Sequence, residues 1–239
     1  METSAPTPRI VGKGSTMSAQ IFNPSDVNKP FITIIGLTNE GTKGSTQKDP
    51  REILQRLAKL QNVRLVFPEP PIRQITLTSE NLPAWYDLRG DSFSTAKCED
   101  DLTFMDESMN LIQDVIDEER RLYPSAPIWL VGFSQGATMA ILTGLNQLEP
   151  IAGVIALSGF VPDHPRLKEL SDVARQTPIF MAHGSLDSVI TISKSRESLA
   201  RLIQAGANVE FFEYPMVHEV CPREVKDLGE FIRAYTPLN

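Results

Sequence analysis

Residues 132–136 read Gly-Phe-Ser-Gln-Gly, a serine with a glycine two positions away on either side. A serine hydroxyl is a poor nucleophile at neutral pH. It becomes effective when a neighbouring base takes its proton and fixed donors receive the oxyanion formed on the attacked carbonyl. Glycines at this spacing let neighbouring backbone pass without a Cβ clash, so Ser134 can sit at the apex of a sharp, strained turn. The run before it, Ile128-Trp129-Leu130-Val131, is apolar throughout and reads as a buried strand. The run after it, Gly136-Ala137-Thr138-Met139-Ala140, is small and helix-compatible. A helix starting there directs its first N–H groups and its positive dipole end at the reacting oxygen. The competing reading is an ordinary turn serine, which the strand-to-helix context disfavours.

The base must be found among three histidines, His164, His183 and His218. Where a serine of this kind works at the edge of a strand–helix sheet, the acid and then the histidine follow it in chain order. His218 lies after the last strand-like run and before the last helical one, in a loop able to reach the serine, and is the preferred base. His183 ends a strand-like run, where it is either a second candidate base or a packed turn histidine that orders the acid loop. His164, between Asp163 and Pro165, reads as a loop residue. Asp187 follows a buried strand and precedes His218, so it is the preferred acid, holding the tautomer of the imidazole and stabilising its protonated form. Asp163 is the main competitor. Glu219 reads as a solvated neighbour of His218, and Asp187 is alternatively a helix N-cap.

These residues need a scaffold. Strand-like runs occur at Phe31–Gly36, Val63–Phe67, Pro127–Phe133, Ile151–Leu157, Pro178–Ala182 and Val209–Tyr214. Helical periodicity occurs at 50–61, 99–122, 136–148, 191–205 and 223–235. The clearest stripe is Leu102, Met105, Met109, Ile112 and Ile116. Strands that are apolar on both faces belong in a mostly parallel sheet with helices on either side, which predicts an α/β fold. Residues 1–29, polar and broken by prolines, read as a flexible leader, and 30–239 as a single domain. Residues 68–98 hold four prolines and no helical pattern. A loop that long is usually functional or disordered, and this one is predicted to wall an acyl-binding site, with Leu77 and Trp85 as substrate-binding residues. Trp85 is equally readable as a packing anchor.

Composition narrows the partners. The formal net charge is −7, which repels phosphate backbones, so no nucleic-acid partner is expected. The two cysteines, Cys98 and Cys221, read as free thiols and not as a disulfide framework or zinc site. No metal or cofactor is implied. No apolar run approaches the roughly 18 residues of a membrane span, and no signal peptide or myristoylation motif is legible. The expected location is cytoplasmic, with only transient contact with a membrane surface. The oligomeric state is not legible.

The chain resembles the acyl-protein thioesterases, also called the phospholipase/carboxylesterase family of α/β-hydrolases, from about Phe31 to its end. The markers are Leu82-Pro83-Ala84-Trp85-Tyr86-Asp87, Gly132-Phe133-Ser134-Gln135-Gly136, and Ile151-Ala152-Gly153-Val154-Ile155-Ala156-Leu157-Ser158-Gly159. They continue with His183-Gly184 plus Asp187, and Tyr214-Pro215-Met216-Val217-His218 followed by Cys221-Pro222. The resemblance implies an α/β-hydrolase fold, a Ser134–Asp187–His218 triad, and oxyanion donors at the backbone N–H of Leu37 and Gln135. It also implies that the Trp85 loop lies close to Ser134. The implied substrates are S-palmitoylated proteins or small acyl esters. The alternatives are a broad carboxylesterase or lysophospholipase, and a non-catalytic acyl-binding protein. The last is suggested only by Ile35-Gly36-Leu37-Thr38-Asn39, where the family commonly has His-Gly-Leu-Gly-Asp.

Overall fold

The computed structural model describes residues 7–11, 17–24, 26, 28–29, 31–38, 62–89 and 101–236. The elements in chain order are β1 (Thr7–Val11), β2 (Met17–Phe22), β3 (Ile32–Leu37), β4 (Val63–Pro68), β5 (Ile72–Ile75) and β6 (Glu80–Pro83), then α1 (Leu102–Leu122). There follow β7 (Ile128–Phe133), α2 (Gln135–Gly144), β8 (Gly153–Leu157), a 3-10 turn (Pro165–Leu167), α3 (Asp172–Gln176), β9 (Pro178–Gly184), α4 (Ile192–Ala205), β10 (Asn208–Tyr214) and α5 (Pro222–Tyr235). Eight strands form one sheet in the order β1-β2-β4-β3-β7-β8-β9-β10. From β4 to β10 every pairing is parallel, while β1–β2 and β2–β4 are antiparallel. The fold is therefore α/β with a mostly parallel central sheet.

All six strand-like runs of the sequence are strands of this sheet. Their side chains alternate between two cores, as a pleated strand requires. Ile35, Leu37, Leu130 and Val154 face the core shared with α1, α2 and α4. Ile34, Trp129, Val131 and Ile155 face the core shared with α5. The sequence stripe on α1 is inward-facing, with Met105, Met109, Ile112 and Ile116 buried. The helix expected over 50–61 lies outside the described residues, as do Asn39 and Cys98; Cys221 is a free thiol.

Two expectations change. Within the stretch read as a flexible leader, Thr7–Val11 and Met17–Phe22 form β1 and β2. Met17, Ala19 and Ile21 are buried at alternate positions, and β2 pairs with β4. A half-buried strand covering a sheet edge needs only such a short alternation, which the surrounding prolines obscure. The stretch from residue 68 is also not irregular throughout, because β5 and β6 pair as a hairpin with Ser79 in the left-handed region at φ 57°. Asp87 holds the hairpin turn by accepting from the Thr76 N–H (2.7 Å) and hydroxyl (2.6 Å). Arg73 docks the hairpin on α1, stacked over Phe104 at 4.2 Å and paired with Glu107 at 2.9 Å.

The interior also holds charge. Arg64 of β4 makes a bidentate pair with Glu119 of α1, at 2.7 and 2.9 Å. Such a fork tolerates burial because both partners stay hydrogen-bonded. Glu224, in the first turn of α5, is fully buried, and neither carboxyl oxygen finds a good hydrogen-bond partner. Burial, reinforced by Asp227 and only partly offset by the Cys221 N–H, pushes its carboxyl up to about 8. In the unfolded chain a glutamate releases its proton near pH ~4.3. Between these values the folded state binds the extra proton, so this group makes stability fall as pH rises, levelling above about pH 8. Glu224→Gln is neutral throughout. Urea unfolding should therefore show the variant gaining on the wild type between about pH 4.5 and 8, by a few kcal/mol (order of magnitude). A pH-independent difference would mean that Glu224 is ionised in the fold at neutrality.

Candidate active site

Ser134 occupies the single residue between the end of β7 and the start of α2, with φ 55° and ψ −118°. A non-glycine residue at positive φ costs on the order of 1–3 kcal/mol and persists only where its surroundings enforce it. Three contacts enforce it here. The Ser134 N–H donates to Leu157 O at the end of β8, at 2.9 Å. A Cβ on Gly132 would lie 2.1 Å from Gly136 O, and a Cβ on Gly136 would lie 1.8 Å from Leu37 O. Helix α2 thus presses on the end of β3 at a distance only glycine permits, and all ten of its residues are buried. The same contact puts the backbone of Leu37, which closes β3 in register with Gly132, beside the first turn of α2.

His218 comes from the loop between β10 and α5. Its Nε2 lies 3.0 Å from Ser134 Oγ, and its Nδ1 lies 2.7 Å from Asp187 Oδ2. The ring leans on Phe133, with centroids 4.9 Å apart. Asp187 stands in the turn after β9, where its Oδ1 accepts the N–H groups of Val189 (2.8 Å) and Ile190 (2.9 Å). Burial by itself would raise its proton affinity. Hydrogen bonds from His183 and His218, the His218 charge and the Ile190 N–H outweigh that and hold the carboxyl well below the usual carboxylate range. An ionised acid, an imidazole and a serine hydroxyl therefore form one hydrogen-bonded line. That line can move a proton from Oγ to Nε2 while the charge on the imidazole is balanced.

The competing assignments fall elsewhere. Thr191 caps α4, so Asp187 is not the N-cap of that helix. Asp163 has a 70% exposed side chain and lies 4.0 Å from Lys168 Nζ. His164 is buried and accepts from the Arg166 N–H as the cap of the 3-10 turn, with burial lowering its proton affinity. Glu219 is exposed. His183 is fully buried, with its Nε2 3.3 Å from Asp187 Oδ2.

The loop residues divide. Trp85 is fully buried in the core shared with α1, and its carbonyl accepts from the Ser108 hydroxyl. The indole packs in that core, with its Nε1 buried and without a hydrogen-bond partner. Leu77 is half-buried in the hairpin turn, with its N–H bonded to Leu88 O at 2.9 Å. Sequence reasoning missed the side chain of Gln135. Its Oε1 accepts the Trp85 N–H (2.8 Å) and its Nε2 donates to Tyr86 O (2.7 Å). That buried amide ties the Trp85 loop to the residue after Ser134. A glutamine inside an otherwise small, apolar helix start is the signal that marks it.

The sequence profile described as Phospholipase/Carboxylesterase matches residues 41–236. The acyl-protein thioesterase 1 of Mycosarcoma maydis is 32% identical over 237 residues, covering 93% of this chain and 99% of that one. The acyl-protein thioesterase 1 of Saccharomyces cerevisiae is 32% identical over 211 residues, covering 84% and 91%. Among solved structures, Zea mays acyl-protein thioesterase 2 superposes with a TM-score of 0.73 at 21% identity, covering 91% of this chain and 98% of that one. Arabidopsis thaliana SOBER1 superposes with a TM-score of 0.74 at 24% identity, covering 86% and 99%. The chain belongs to the phospholipase/carboxylesterase family of α/β hydrolases and is a hydrolase.

The close approach at Gly136 generates a stability test. Gly136→Ala puts a methyl against backbone, which cannot swing aside as a side chain does. It should cost about 3 kcal/mol, the upper end of the overpacking range, and abolish reaction of Ser134 with an active-site fluorophosphonate. Urea unfolding and gel-based labelling measure the two effects. Wild-type values for both would show that α2 does not depend on this contact.

Proposed function

We propose that the chain cleaves acyl thioesters as a serine hydrolase, removing palmitoyl groups from S-acylated cysteines of proteins through an acyl-enzyme. The observation that carries this reading is the unbroken Asp187–His218–Ser134 line, at 2.7 and 3.0 Å, on a serine held at positive φ. The names of the relatives support the substrate class. His218 Nε2 takes the Oγ proton as Oγ attacks the acyl carbonyl. The backbone N–H groups of Leu37 and Gln135 receive the oxyanion. The intermediate collapses, the C–S bond breaks, and the proton on His218 passes to the departing sulfur. Water, deprotonated by His218, then attacks the acyl-serine, and the acid and free Ser134 are released. A thiolate is a better leaving group than an amine because its reference pKa is near 8.5.

The acyl group is approached over an apolar rim. Leu186 and Val217, each one residue before a member of the line, are 64% and 48% exposed. The Leu186 N–H bonds Met216 O at 3.1 Å, which brings the two loops together. Such a rim suits a fatty chain and brief contact with a membrane surface. Among the described residues no helix is long and apolar enough to cross a membrane. The family's carboxylesterase description favours a second reading, hydrolysis of small oxygen esters or lysolipids at the same Ser134.

Ser134→Ala should lose turnover and fluorophosphonate labelling while keeping the wild-type fold. Turnover by a purified, folded Ser134→Ala protein at the wild-type rate would sink the assignment.

Substrate class is tested separately. Each buried methylene contributes about 0.8 kcal/mol, so kcat/KM should climb steeply from acetyl to octanoyl esters of one alcohol. Leu77→Asp should flatten that climb without unfolding the protein. A palmitoyl thioester should outrun the matched oxygen ester. A flat wild-type profile would favour the small-ester reading over depalmitoylation.

A further inference from the structure

Asp187 carries a second imidazole. His183 is fully buried near the end of β9, and its Nε2 lies 2.7 Å from Ile190 O. A carbonyl only accepts, so this nitrogen bears the hydrogen. The same Nε2 lies 3.3 Å from Asp187 Oδ2, the oxygen that His218 Nδ1 approaches at 2.7 Å. With Val189 and Ile190 on Oδ1 and His218 on Oδ2, the His183 N–H, bonded mainly to Ile190 O, faces Oδ2 as a longer second contact. Nδ1 of His183 is buried without a hydrogen-bond partner. A hydrogen there would be a buried donor with no acceptor, so the geometry fits the tautomer with its hydrogen on Nε2. β10 sets Glu213 in register beside His183, but that carboxylate is exposed and held bidentately by Arg196 at 2.7 Å. Asp187 is therefore the charged group His183 serves.

We propose that His183 is a positioning residue for the hydrolysis: an Nε2–H imidazole that fixes Asp187 Oδ2 against His218 and ties the 185–190 turn back to β9. His183 touches neither the acyl group nor Ser134. It acts by keeping Asp187 ionised and in place while His218 passes between imidazole and imidazolium. The inference rests on the acyl-transfer reading above, and its consequences are distinct. Loss of His183 slows the chemical step and leaves substrate binding alone.

Three substitutions and one wild-type measurement test it. Gln places its amide nitrogen where His Nε2 stands, Asn stops short at the Nδ1 position, and Phe fills the space with no donor. His183→Asn and His183→Phe should lower kcat about 10- to 100-fold, as losing the outer partner of a metal-bound imidazole does. KM should not change, because only the transition state loses support. His183→Gln should recover most of that loss. Equal activity in the Gln and Asn variants, whether high or low, would overturn the assignment. So would a rise in KM without a fall in kcat. Should the variants fail to fold, nitrogen-15 NMR of the wild type decides. His183 should hold its hydrogen on Nε2 with a bare Nδ1, and the opposite tautomer would overturn the proposal. An absence of Ser134 labelling in the wild type would sink the acyl-transfer reading itself. Unchanged labelling and kcat in His183→Asn would sink only the role given to His183.

Discussion

The site depends on how closely two backbones approach. Helix α2 can start immediately after β7 only because Gly132 and Gly136 leave no Cβ between the incoming strand, the outgoing helix and the end of β3. That contact forces Ser134 to positive φ, and the bond from its N–H to Leu157 O locks the turn to β8. Three strands and a helix thus share one rigid joint. The remaining members need only arrive at the same end of the sheet, which parallel strands guarantee. Asp187 follows β9 and His218 follows β10, both on the side where β7 delivers Ser134. Sites at the carboxyl ends of parallel strands follow from this geometry. Gln135 extends the joint outward by binding the backbone of Trp85 and Tyr86.

Two buried carboxyl groups show how the surroundings set charge. Asp187 and Glu224 are both excluded from water, and burial pushes both toward the neutral form. Around Asp187, two imidazoles and two backbone N–H groups reverse the push. Around Glu224 one backbone N–H, that of Cys221, opposes the push, the Asp227 carboxylate adds to it, and the push stands. One group is built to hold a charge and the other to avoid it, although both sit on segments that flank the same histidine loop.

The central strands were legible because strands covered on both faces are apolar throughout, a pattern no solvated segment shares. The elbow was legible for a related reason, since glycines two residues either side of a serine serve a backbone need that little else creates. β1, β2 and the β5–β6 hairpin were not. They are short, interleaved with proline, and owe their strand state to partners distant in sequence, as Ala19 owes its place to Pro68. Side chains at the site were legible by type and order but not by contact. Chain order brought Asp187 and His218 forward as acid and base, and their side chains stand within hydrogen-bond reach. It left His183 with two readings, because nothing in a strand-end histidine says which nitrogen meets which oxygen. Trp85 was ambiguous for the opposite reason. An aromatic ring beside a site serves packing or binding equally well in sequence, and only its complete burial separates the two.

The order of the three residues along the chain has a consequence for synthesis. Ser134 emerges from the ribosome well before Asp187, and His218 emerges last of the three. N-terminal portions fold first as translation proceeds. A nascent chain can therefore complete the elbow before His218 has been made. The Asp187–His218–Ser134 line closes only once β10 has paired with β9 and set the His218 loop beside the Asp187 turn. Until then the Ser134 hydroxyl has no imidazole beside it and is an ordinary alcohol.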